Sequence, residues 1–142
     1  MLFVLDSNEY IFTFGLRKKE SCQDLLDRLS ELVPIHGIRI SRLIVREVQR
    51  NLAPEESAEF FRFLKVTAEV DEDIFVPFEF GAKYEVRGLK PADAFIAAYT
   101  EWVGADALVT ENRHFLTRRS DLPFKILTAE QCLKFIAHSS SR

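Results

Sequence analysis

Leu2-Phe3-Val4-Leu5-Asp6-Ser7-Asn8 decides how this chain is read. Four apolar residues in a row, halted by three small polar ones, have the pattern of a strand buried on both faces, as at the centre of a parallel sheet. Asp6 or Ser7 is placed to cap the helix that follows, through Tyr10, Ile11 and Phe14 to about Leu16, with Gly15 near its close. The same alternation recurs downstream. Residues 20–33 carry Leu25, Leu26, Leu29, Leu32 and Val33 at helical spacing, and Pro34 and Gly37 stop them. Residues 38–40 make a minimal strand, after which Ser41 caps a helix bearing Leu43, Ile44, Glu47, Val48 and Leu52. Pro54 opens a helix with Phe60, Phe61, Phe63 and Leu64 inside it. The stretch 67–76 has a weak pattern, with a short strand expected at 73–76.

Pro77 to Gly88 reads as a helix, and Pro91 stands at the first turn of a nearly all-apolar helix over 92–103, closed by Gly104. Apolar strands follow at 107–110 and 124–127. Thr128 caps the last helix, with Gln131 completing a capping box. Residues 139–142 are expected to be a frayed tail. Short apolar strands alternating with helices predict a three-layer α/β/α sandwich around a mostly parallel sheet, one domain over residues 1–138.

A chain of 142 residues holds about one domain's core. Apolar residues at 47% and charged residues at 29% exclude a disordered tail, a collagen-like repeat and a disulfide scaffold. A net charge of −3 argues against a mass binder of nucleic acid and leaves room for a local basic patch. Cys22 and Cys132 are far apart, no CxxC is present, and His36, His114 and His138 are scattered, which argues against a zinc finger or ribbon. The start lacks a basic leader, and no apolar run nears the ~20 residues of a membrane span. A cytoplasmic, reducing location is the expectation.

Four polar positions sit awkwardly in a bland core. Asp6 follows the first strand and Asn112 lies just past the strand at 107–110, at the strand ends where open parallel sheets collect ligands. Glu47 shares the apolar face of its helix, four residues from Leu43 and three from Ile44. Asp93 is the one charge between Pro91 and Thr100. Each has a local explanation: Asp6 as a helix cap, Asp93 as a first-turn acid, Glu47 as a partner of Arg39 or Arg46, Asn112 as a turn residue. A cation site explains them together. Two carboxylates about 5 Å apart repel by roughly 3 kcal/mol at an effective dielectric near 20. An all-oxygen cluster selects Mg²⁺ or Mn²⁺ over zinc, and such ions serve phosphodiester hydrolysis.

These residues lie in segments that resemble the PIN-domain nucleases, and among them the toxin-type (VapC-like) branch. The matching stretches are Leu5-Asp6-Ser7-Asn8, the run from Ser41 through Glu47, GLKPADAFIAA from Gly88, and LVTENRHF from Leu108. Their order spans about residues 1–135. The resemblance implies a central parallel sheet flanked by helices and a Mg²⁺- or Mn²⁺-dependent endoribonuclease. Carried over by position, Asp6, Glu47 and Asp93 correspond to the metal-binding acids, and Asn112 falls where many relatives carry a fourth acid. Glu111 is acidic but one position off the pattern. Asn8, Arg46, Arg50, Lys90 and Arg113 are the candidate substrate-binding set. The resemblance also implies an RNA substrate, an antitoxin protein partner and a homodimer.

Arg42, Arg46 and Arg50 recur every fourth residue beside Glu47, and Arg87, Lys90, Arg113 and His114 come from the other matching stretches. Arg118 and Arg119 read as plain surface. Thirteen phenylalanines are many for this length, so some ring surface is expected to be available to a partner. Two other readings stay open: a PIN-like module without catalysis, which binds RNA or protein, and an RNA-processing nuclease that is no toxin. A receiver domain or an aspartate-nucleophile phosphatase fits poorly, because position 8 is Asn and Thr128 follows the last strand.

Overall fold

The computed structural model describes residues 1–117 and 122–140. Arg118, Arg119 and the last two residues of the expected tail lie outside them. Five parallel strands form one sheet: β1 (Leu2–Leu5), β2 (Gly37–Ser41), β3 (Ala68–Asp71), β4 (Ala107–Val109) and β5 (Lys125–Leu127), in the order β3-β2-β1-β4-β5. The opening run is the central strand. Phe3, Val4 and Leu5 are fully buried, so successive side chains on both faces of β1 are covered.

The helices among the described residues are α1 (Ser7–Phe14), α2 (Glu20–Glu31), α3 (Arg42–Arg50), α4 (Pro54–Thr67), α5 (Phe78–Val86), α6 (Pro91–Trp102), α7 (Arg113–Leu116) and α8 (Ala129–Ser140). The crossovers from β1 to β2 and from β2 to β3 step one way across the sheet, and those from β3 to β4 and β4 to β5 step the other way. Right-handed crossovers therefore put α1–α4 on one face and α5–α6 on the other. α8 packs on α2 and joins the first layer. The three-layer α/β architecture expected from the sequence is the one observed.

Local chemistry accounts for the element ends. Ser41 Oγ accepts from Ile44 N at 3.3 Å at the start of α3. Thr128 and Gln131 close a reciprocal capping box before α8, with Thr128 N donating to Gln131 Oε1 at 2.9 Å and Gln131 N to Thr128 Oγ1 at 3.2 Å. Gly88 and Gly104 follow the ends of α5 and α6 at φ of 96° and 71°, a left-handed conformation that suits glycine best. The seam between α1 and α4 is aromatic. Tyr10 meets Phe60 edge-on at 5.2 Å between ring centroids, and Phe14 lies 5.8 Å from Phe63. Phe60 is core, with Phe14 and Phe63 packed against it, whereas Phe61 on α4 is exposed, as are Phe75 and Phe78 outside it.

Three features differ from the sequence reading: α7 stands where no helix is expected, α8 continues to Ser140 through the start of the expected frayed tail, and residues 73–76 are not a strand. The strand expected at 73–76 is a 3-10 turn, Asp73–Phe75, and the third strand lies upstream at Ala68–Asp71. Asp73 Oδ1 accepts from Leu43 N at 3.0 Å, an otherwise unpaired N–H in the first turn of α3, and this bends the chain out of the sheet. β3 is an edge strand with Glu69 and Val70 exposed, so it lacks the apolar run that marks β1 and β4.

Candidate active site

The switch in crossover direction falls between β1 and β4, and a crevice opens there at the carboxyl ends of the strands. Asp6 occupies it. Its backbone N donates to Val109 O at 2.8 Å, tying the end of β1 to the end of β4. Its carboxylate is held from two sides: Ser7 N donates to Oδ1 at 2.8 Å, and the Thr110 hydroxyl donates to Oδ2 at 2.8 Å. Asp6 is only 6% exposed. Burial pushes its carboxyl above the ordinary range; the Thr110 and Ser7 hydrogen bonds pull the other way, and the charges of Glu47 and Asp93 add to the rise. Asp6 thus caps α1 and also senses the two distant acids.

Glu47 on α3 and Asp93 in the first turn of α6 are both half-buried. Among the described residues neither carboxylate has an ion pair. The partners a local explanation would assign to Glu47 are otherwise placed. Arg39 grips Asp71 with two donors, at 2.9 and 2.6 Å, while the Tyr99 hydroxyl donates to Asp71 Oδ2 at 2.6 Å. Arg46 is exposed.

Asn112 takes the role of helix cap. Its Oδ1 accepts from His114 N at 3.0 Å, and its own N donates to Thr110 Oγ1 at 3.0 Å. A chain of hydrogen bonds therefore runs from Asn112 through Thr110 to Asp6. Of the basic residues, Arg42 is paired with Glu72 at 2.9 Å, whereas Arg46, Arg50, Lys90 and Arg113 are exposed and Asn8 is half-buried.

No family model matches the chain, and no curated protein matches it. Solved structures do. The chain is similar to VapBC2 from Rickettsia felis, crystallised bound to a DNA fragment from their promoter, with a TM-score of 0.65 and 21% identity over 90% of this chain and 98% of that one. It is similar to VapBC-1 from nontypeable Haemophilus influenzae, with a TM-score of 0.59 and 20% identity over 91% and 98%. It is similar to FitAcB from Neisseria gonorrhoeae, with a TM-score of 0.56 and 14% identity over 89% and 97%. The likeness is one of fold.

Sequence reasoning misses Thr110 and Glu9, and weighs Glu111 only as an acid one position off the pattern. Thr110 reads as the end of a strand, yet it is buried and carries the contact to Asp6. Glu9, on α1, is fully buried, and Glu111 is half-buried beside it. Among the described residues the acidic group whose ligand atoms all lie within 4.8 Å of one another is Glu9, Cys22 and Glu111, not Asp6, Glu47 and Asp93. Burial first, and then the charge of Glu111, push the Glu9 carboxyl up to about 9. Glu111 is held below the ordinary carboxylate range despite its burial, through Lys19, Glu9 and the backbone of Ala129. Among the described residues no helix is long and apolar enough to cross a membrane.

Proposed function

We propose that this protein is a Mg²⁺- or Mn²⁺-dependent endoribonuclease and the toxin of a toxin–antitoxin pair. The observation that carries the reading is the buried Asp6 carboxylate at the β1–β4 switch point, within reach of the charges of Glu47 and Asp93, neither of which has an ion pair among the described residues. Uncompensated acids facing a buried acid fit a hard divalent cation, and their donors are all oxygen.

Asp6 and Asp93 would hold the ion, and Glu47 would order the attacking water or a second ion. When bound, such an ion lowers the pKa of water and stabilises charge on a phosphoryl oxygen. Ser7 N and the Thr110 hydroxyl hold the Asp6 carboxylate in one orientation. Arg46, Arg50, Lys90, Arg113 and Asn8 would grip the RNA phosphates around the crevice. Water attacks in line, and the products carry 5′-phosphate and 3′-hydroxyl ends.

The antitoxin partner and a homodimer belong to the same proposal. The neighbouring folds are those of VapBC and FitAB complexes, which supports a partner of that kind. One observation favours a second reading, a binding module without catalysis: the Asn112 side-chain oxygen is engaged in capping α7. An RNA-cleavage assay with and without Mn²⁺, comparing the parent with Asp93→Asn, separates the two. Cleavage that needs Mn²⁺ and fails in the variant supports the nuclease. Cleavage in excess chelator, products with 2′,3′-cyclic phosphate, or no cleavage by the parent overturns it. Growth arrest on expressing this chain alone, relieved by the product of an adjacent small reading frame, tests the toxin role.

A further inference from the structure

We infer that Asp71 and Asp73 are positioning residues for the proposed cleavage, clasping α6 and α3 so that Asp93 and Glu47 stand at a fixed separation. The inference rests on the nuclease reading and names what holds its two half-buried acids in place. β3 ends at Asp71, and the 3-10 turn starts at Asp73. From this one knuckle two carboxylates reach helices on opposite faces of the sheet. Asp71 Oδ2 accepts from the Tyr99 hydroxyl of α6 at 2.6 Å, and Asp73 Oδ1 accepts from Leu43 N of α3 at 3.0 Å. Tyr99 follows Asp93 by six residues and Leu43 precedes Glu47 by four. At a rise of 1.5 Å per residue, the tethers stand about 9 and 6 Å along rigid helices from the acids they steady.

These bonds exceed what strand pairing requires. β2 and β3 pair through their backbones, with Ser41 opposite Asp71, and Arg39 adds a side-chain bridge to Asp71 through two donors at 2.9 and 2.6 Å. Neither Tyr99 nor Leu43 belongs to the sheet. Tyr99 is fully buried, and its ring lies within 10° of parallel to that of Phe95, one turn nearer Asp93. A hydroxyl aimed at a carboxylate makes a charge-assisted bond, stronger than a neutral one. Burial alone would raise the Asp71 carboxyl. The Arg39 and Tyr99 hydrogen bonds outweigh it and hold the group below the ordinary range, so both oxygens accept at neutral pH.

Glu72, between the two, differs. It meets Arg42 at 2.9 Å with the side chains 50% and 36% exposed, and a pair so open to water contributes little. The positioning role therefore falls to Asp71 and Asp73. A misplacement of about 1 Å at a reacting group costs on the order of 10²-fold in rate, so loosening either tether is expected to reach the chemistry.

Mn²⁺ binding and RNA cleavage by the full chain test this. Tyr99→Phe removes the hydroxyl alone and leaves Asp71 to Arg39. Asp73→Ala removes the acceptor for Leu43 N, and Asp73→Asn keeps one. Binding is read from the electron paramagnetic resonance signal of free Mn²⁺. Tyr99→Phe and Asp73→Ala should each weaken Mn²⁺ binding and lower kcat by about tenfold or more, with RNA affinity in chelator unchanged. Asp73→Asn should restore both quantities, and Glu72→Gln should alter neither. Lower melting midpoints with parental Mn²⁺ affinity and kcat would make the tethers purely structural and overturn the inference. So would a loss confined to RNA affinity, which would place these residues in the substrate grip. A parent that binds Mn²⁺ without cleaving RNA refutes the nuclease reading, and the tethers are then judged on Mn²⁺ binding alone. A parent that neither binds nor cleaves refutes both.

Discussion

The Thr110 hydroxyl donates to Asp6 Oδ2 at 2.8 Å across 104 residues of sequence. Thr110 Oγ1 also accepts from Asn112 N at 3.0 Å, so one side chain orders both the buried acid and the turn into α7. Thr110→Val keeps the shape and removes the hydroxyl. It leaves Asn112 N without its acceptor and Asp6 Oδ2 without its donor, at a cost of about 1–3 kcal/mol. The expected outcome is a lower midpoint in denaturant and a higher Mn²⁺ requirement for cleavage, with Thr110→Ser restoring both. An unchanged Mn²⁺ requirement in a well-folded Val variant would show that Asp6 needs no such anchor.

The basic stripe on α3 divides by what its members touch. Arg42 is engaged with Glu72, whereas Arg46 and Arg50 are exposed. Removing Arg46 and Arg50 together should lower the slope of log affinity for single-stranded RNA against log salt by about 1.4, roughly 0.7 for each phosphate no longer neutralised. Arg42→Ala should leave that slope unchanged. Binding measured at several salt concentrations checks it, and an unaltered slope in the double variant excludes both residues from the RNA footprint.

What the sequence makes legible follows from the range of the forces involved. β1 is readable because burial on both faces leaves a continuous apolar run, and Asp6 because it interrupts that run. Glu47 and Asp93 are readable as charges on apolar helical faces, a pattern with a period. Thr110 is not, since its value comes from the pairing of β1 with β4 and a threonine ending a strand is unremarkable alone. Nor is Glu9: a lone acid beside Tyr10 on a short helix reads as solvent-facing, and only the packing of α2 and the segment after β4 buries it. β3 escapes notice because an edge strand can carry charge, so 68–71 lacks the signal that its buried neighbours give.

Asp6→Asn and Asp93→Asn should separate function from stability. Both remove a carboxylate from a set whose charges oppose one another at Asp6. Cleavage should fall by at least about 10²-fold in each, the scale expected when charge stabilisation at a reacting phosphate is lost. Stability in chelator should hold or rise for Asp93→Asn, because Asp93 has no ion pair to lose among the described residues. Paired thermal melts and product analysis measure both effects, and a variant that melts far below the parent would mean that Asp93 is a structural acid.

Glu9 gives the pH dependence of folding. In the native state its carboxyl holds its proton up to about 9, while in the unfolded chain it releases the proton near 4.5. Between those values the native state binds more protons than the unfolded state, so stability is greatest below 4.5 and declines as the pH rises towards 9. Glu9→Gln keeps the shape, stays neutral at every pH and supplies an N–H donor for Glu111. In chelator, its unfolding free energy should therefore be flatter than the parent's across this window and exceed it by a few kcal/mol near the alkaline end. Denaturant titrations at four or five pH values trace the two curves. Parallel curves would mean that Glu9 is ionised in the native protein and donates no proton to Glu111.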